Sequence, residues 1–102
     1  MDLTINIKTE TYYIKTAKTG GGKAASVPIP YQHIGDDVLC IPLLSPDMII
    51  INEADDGEFI INCCGLEMLR KTVKANHGTK SSTGYVYIPQ EYLTDHVLIV
   101  PL

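Results

Sequence analysis

The segment Thr19-Gly20-Gly21-Gly22-Lys23-Ala24 is the first place where residue types and spacing suggest chemistry. Three glycines beside a lysine let backbone amides and an ammonium group approach phosphate closely. A nucleotide-hydrolysing P-loop would need Gly where Ala17 stands and Ser or Thr where Ala24 stands, with a helix after it, and the chain has none of these. His33, His77 and His96 never fall at metal-ligand spacing with Cys40, Cys63 or Cys64. The acids of Glu53–Glu58 have neither the length nor the spacing of a calcium loop. No nucleophile elbow, acid–base pair or Cys–His motif in recognisable context appears. The expectation is a protein that is not an enzyme and carries no cofactor and no metal.

Charge carries more functional content. The net charge of −4 speaks against a nucleic-acid partner, but the charges are sorted along the chain. Residues 11–35 hold Lys15, Lys18 and Lys23 and no acid, and residues 68–90 hold Arg70, Lys71, Lys74 and Lys80 and no acid. Between them, residues 36–67 carry Asp36, Asp37, Asp47, Glu53, Asp55, Asp56, Glu58 and Glu67 and no base. Two basic blocks with tyrosines nearby can hold phosphate and stack bases if the fold brings them to one face.

The elements that would do so belong to one domain of 102 residues, 1–102. With 45% hydrophobic residues, one Phe and no Trp, its core is aliphatic. The apolar runs Met48–Ile51 and Val97–Val100 are too short to span a bilayer, and no charged leader with a cleavage site opens the chain. An odd cysteine count with Cys63 next to Cys64 fits reduced, strand-borne thiols and a cytoplasmic location.

Sliding the chain by 59 residues lays Val27–Leu43 on Val86–Leu102 without a gap, VPIPYQHIGDDVLCIPL over VYIPQEYLTDHVLIVPL. Eight of the seventeen positions are identical, where ordinary composition would give about one. Upstream, the same offset sets Ile14 on Val73 and Lys15 on Lys74. The chain thus reads as two repeats, about 1–43 and 59–102, joined by a hairpin segment of about 44–64. An approximate two-fold relation between them would gather Lys15 and Lys74, and the loops bearing Lys23 and Lys80, on one face.

The fold expected is all-β or nearly so, a small barrel or two packed sheets with at most short helical turns. Leu3, Ile5 and Ile7 alternate with polar residues as a strand. Tyr12–Lys18 is a second strand, and Thr19–Ala25 a loop. Val27–Pro30 is a third strand, placed at an edge or bulge because Pro28 has no N–H to donate. Tyr31–Asp37 is a turn and Val38–Leu43 a fourth strand whose apolar run is covered on both faces. The second repeat echoes this with Leu69–Lys74, the loop Ala75–Thr83, Tyr85–Pro89, Gln90–His96 and Val97–Leu102. Asp56-Gly57 supplies the positive φ of a hairpin turn between Met48–Asn52 and Glu58–Cys63. Leu66, Leu69 and Val73 have helical spacing, with Glu67 four before Lys71, but the repeat favours a strand from Leu69 onward.

Each repeat is a strand, a glycine-bearing loop, Val-x-Ile-Pro, a turn, and Asp-x-Val-Leu-x-[Ile/Val]-Pro-Leu. This resembles the half-motif of the AbrB/MazE-like swapped-hairpin, or cradle-loop barrel, DNA-binding family. Gly84-Tyr85-Val86-Tyr87-Ile88-Pro89-Gln90-Glu91 is its closest stretch and Ser26-Val27-Pro28-Ile29-Pro30 its echo. Tyr85 and Ser26 stand where the family has arginine, and Gln90 and Tyr31 where it has a basic residue. The whole chain is also similar to a small protein of a filamentous virus infecting thermoacidophilic archaea, which would place it in the host cytoplasm. The family resemblance implies two interleaved units presenting loop and strand residues to duplex DNA, in a regulatory role. The expected contacts are Lys15, Lys18, Lys23, Arg70, Lys71, Lys74, Lys80 and Tyr85. The other reading is a protein-interaction module, virion-associated or antitoxin-like, using the acidic middle or an exposed strand edge, with a homodimer as a further association.

Overall fold

The computed structural model describes residues 2–7, 11–20, 22–45, 47, 49–54, 56–75 and 83–102, and strands dominate them. In chain order they are β1 (Asp2–Ile7), β2 (Tyr13–Thr16), β3 (Lys18–Thr19), β4 (Ala24–Pro30), β5 (Asp37–Pro42), β6 (Ile50–Glu53), β7 (Phe59–Cys64), β8 (Leu69–Thr72), β9 (Lys74–Ala75), β10 (Thr83–Pro89) and β11 (His96–Pro101). Two 3₁₀ turns, Tyr31–His33 and Gln90–Tyr92, are each entered from a proline. Among the described residues no helix is long and apolar enough to cross a membrane.

The strands form three antiparallel sheets, ordered β1-β7-β6, β2-β11-β5-β8 and β3-β4-β10-β9. The fold is therefore all-β, built of packed sheets, and among the described residues no pairing closes them into a barrel. The sheet β2-β11-β5-β8 is the middle layer, because its side chains go into two cores. Val38, Cys40, Val97 and Ile99 pack with Ala25, Val27, Ile29, Val86 and Ile88 of the β3-β4-β10-β9 sheet. Ile41, Leu98 and Val100 pack with Ile5, Ile7, Ile61 and Cys63 of the β1-β7-β6 sheet. This explains why the Val38–Leu43 and Val97–Leu102 runs are apolar without alternation: both faces are covered.

The pairing register links the two repeats residue by residue. Val27 pairs with Val86 in the outer sheet and Cys40 with Ile99 in the middle one, so residues 59 apart lie directly opposite each other. Upstream of the loops the relation changes. Ala17 donates its N–H to the Asp95 carbonyl as Val73 does to that of Asp36, both at 2.9 Å. Thr94 donates to the Ala17 carbonyl as Gly35 does to that of Val73, again at 2.9 Å. Asp36 and Asp95 are 59 apart, but Ala17 and Val73 are 56 apart. An offset of 56 also brings Ile5 onto Ile61, and these two pair. All three pairings map onto themselves when the repeats are exchanged, as an approximate two-fold axis through the three layers requires.

The ungapped slide is thus corrected upstream of the glycine-rich loop: the second repeat is three residues longer between β9 and β10. Two further expectations change. Tyr12–Lys18 is not one strand, since the buried Ala17 interrupts it and passes the chain from the middle sheet to the outer one. Pro28 lies in an inner strand, paired with Tyr85 of β10. It is tolerated because the β3 ladder reaches only Ser26, which leaves no β3 partner opposite Pro28. Segment 66–75 is strand from Leu69, as the repeat favours. At the hairpin tip, Gly57 takes φ +82° and donates its N–H to the Ala54 carbonyl.

Candidate nucleic-acid interface

Along β10, Val86 and Ile88 are buried in the core, so Tyr85 and Tyr87 point the other way, to the outside of the molecule. Ser26 and Pro28 do the same on β4, between buried Ala25, Val27 and Ile29. The cross-strand register orders this outer face into two rows. Lys18 of β3 lies opposite Ser26, which lies opposite Tyr87. Lys74 of β9 lies opposite Tyr85, which lies opposite Pro28. Exchanging the repeats turns one row into the other. The face therefore has a lysine at each edge and two tyrosines in its middle.

The Tyr85 and Tyr87 rings meet edge to face, with centroids 5.0 Å apart and planes at 63°. Desolvation by burial, then the neighbouring Tyr87, pushes the Tyr85 phenol above its ordinary range, so it stays a neutral hydrogen-bonding group at neutral pH. Gly20 supports the arrangement, because a Cβ there would come within 3.0 Å of the Tyr87 ring and 2.9 Å of the Ala24 carbonyl. Lys18 and Lys74 are both exposed. With three strand spacings between them, β3 and β9 stand about 14 Å apart, and Lys18 and Lys74 are offset by a further two residues along the strands. None of the four strands carries an acid.

The remaining expected contacts are distributed elsewhere. Lys15 faces Val97 on β2 and Lys71 faces Val38 on β8, so these two are the equivalent pair, at opposite edges of the middle sheet. The expected equivalence of Lys15 with Lys74 is replaced by Lys15 with Lys71 and Lys18 with Lys74. Arg70 is exposed but engaged within the chain, with Nε and Nη2 donating to Asp37 Oδ2 at 3.2 and 2.9 Å. Lys23 is exposed in the β3–β4 turn, and Lys80 lies outside the described residues. The expected set omitted Tyr87, although the alternation in Gly84–Ile88 carries the signal: once Val86 and Ile88 are core, Tyr87 shares the face of Tyr85.

None of the three cysteines is in a disulfide, and burial pushes the Cys40 thiol up to about 12 despite Lys71 nearby. Among the described residues no group of His, Cys, Asp and Glu could hold a metal ion. Tyr92 donates to Glu67 Oε2, a contact that, with burial and nearby acids, pushes its phenol up to about 12. Comparison with family models, curated proteins and solved structures finds no match to this chain.

Proposed function

We propose that this protein binds DNA without catalysis, in a regulatory role in the cytoplasm, through the outer face of the β3-β4-β10-β9 sheet. The observation that supports the reading is the pair of symmetry-related rows, Lys18–Ser26–Tyr87 and Lys74–Tyr85–Pro28, on a sheet without acids. A span of about 14 Å between the lysine-bearing strands is comparable with the roughly 12 Å major groove, so the two ammonium groups reach phosphates on either side of it. The tyrosines then face the groove, where their hydroxyls meet base edges. Lys15 and Lys71 extend the positive charge along the adjoining layer.

Titration against duplex DNA at several salt concentrations tests this. With Lys15, Lys18, Lys71 and Lys74 engaged, log affinity falls with log salt at a slope of roughly −3 to −4. The double change Lys18→Glu with Lys74→Glu weakens binding to all sequences alike and makes the slope shallower by about 2. Tyr85→Phe alters sequence preference instead, leaving the slope unchanged. An absence of salt-dependent binding at low ionic strength would remove the DNA reading and leave a protein partner in its place.

A further inference from the structure

The two repeats differ at one place in the β1-β7-β6 sheet. β7 is paired on both sides, by β1 and by β6, whereas β1 has β7 as its only strand partner among the described residues. The exchange that maps Ile5 onto Ile61 maps the free edge of β1 onto the edge of β7 that β6 covers. A cleft of about 570 Å³ lies at that free edge, lined among others by Ile5, Ile7, Leu39, Val100 and His33. The counterparts of these residues are Ile61, Cys63, Leu98, Ile41 and Tyr92. Over that counterpart surface, Ile49 and Ile51 pack into the core shared with Ile41, Ile61, Cys63 and Leu98. Burial follows the difference: Leu98 and Ile61 are 0% exposed, Leu39 is only half-buried and Ile5 keeps 8%.

We infer that the cleft along β1 accepts an extended segment of a partner polypeptide, which adds antiparallel to β1 as β6 adds to β7. The occupied site within the same molecule defines the chemistry of the occupant. Ile51 lies opposite Ile61, with Asn52 beside it opposite Ile60. The segment therefore carries aliphatic side chains at alternate positions, one opposite Ile5 and one toward Ile7, while the intervening side chains, Ile50 and Asn52 in β6, face outward and do not select it. Main-chain hydrogen bonds to the β1 edge hold it, and the two aliphatic groups fill the cleft and select it. A second copy of the folded chain does not fit. Pairing β1 with β1 would set the two pseudo-axes only two strand spacings apart, about 10 Å, while each middle layer is about 14 Å across its strands and about 20 Å along them. The bodies would interpenetrate, whereas a single extended segment enters freely. The site is on the layer opposite the face proposed for DNA and is independent of it.

The test titrates the labelled full chain with a synthetic peptide of the Asp47–Glu53 sequence, DMIIINE, followed by amide resonances and hydrogen exchange. The expected result is a saturable shift confined to β1, Leu39 and Val100, with β1 edge amides exchanging at least about tenfold more slowly. The same peptide with Ile49→Ser and Ile51→Ser binds at least about tenfold more weakly. Absence of a saturable shift up to about 1 mM peptide, equal binding of both peptides, or shifts mapping to the outer edge of β6 would each overturn the inference.

Discussion

Asp37 sits at the start of β5 and collects three hydrogen bonds: two from Arg70 and one from Thr72 Oγ1 at 2.7 Å. The Thr72 and Arg70 contacts hold its carboxyl below the usual range, since each favours the ionised form. A lowered folded-state value means the contribution to stability is full above the unfolded-chain value of about 3.9 and is lost as pH falls through the folded one. Wild type therefore loses stability more steeply than Asp37→Asn as pH falls below about 4, which urea midpoints across the acid range measure. This trio has no equivalent in the other repeat, where His96 replaces Asp37 opposite Thr16. It also explains why Arg70 was not separable from the phosphate-contacting lysines by sequence: its partner lies 33 positions away on a strand that only the folded sheet brings alongside. Thr94 shows the same limit. It takes φ +71° where the first repeat has Gly35 at φ +91°, a turn position at which threonine would not be expected.

At the scale of elements, the point where each repeat crosses between sheets is packed by two different solutions of one volume problem. The first repeat places Ala17 at the crossing and Ala25 on the adjoining strand, both buried. The second places Val73 at the crossing and Gly84 on the strand. A Cβ on Gly84 would meet Val73 Cγ1 at 2.6 Å, with Ile34 Cγ1 at 3.0 Å behind it. Gly84→Ala alone is expected to cost about 1–3 kcal/mol through overpacking. Adding Val73→Ala recreates the first repeat's pairing, so the double variant is more stable than the sum of the single changes by at least about 1 kcal/mol. Denaturant unfolding of the four chains of the cycle measures it; strict additivity would show that the two sites do not share space. The strands themselves were legible from alternation, from Asp56-Gly57 and from the repeat in 27–43 and 86–102. The three-residue difference between the loops was not, because upstream of the loops the copies share burial and register rather than identity. Ala17 and Val73 are equivalent by the hydrogen bonds they make, and an ungapped slide aligns Ile14 and Val73 instead.

For the whole molecule, the pairings divide sharply between those within a repeat and those between repeats. Apart from the two-residue ladders of β3 with β4 and of β9 with β10, every strand pairing among the described residues joins a strand before the Ala54–Gly57 turn to one after it. Fragments 2–54 and 58–102 are thus expected to be unfolded separately and to assemble into a 1:1 complex with native circular dichroism when mixed; a folded single fragment would contradict the interleaved topology. The same division bears on how the chain reaches its native state. Apart from the β6–β7 hairpin and the two short ladders, the pairings join residues far apart in sequence, so loop closure must be met before cross-strand contacts repay it, and folding belongs to the slow, millisecond-to-second class of β proteins. During synthesis the first repeat leaves the ribosome with its aliphatic strands lacking their partners from the second, and β2 and one edge of β5 wait in that condition until β11 has emerged.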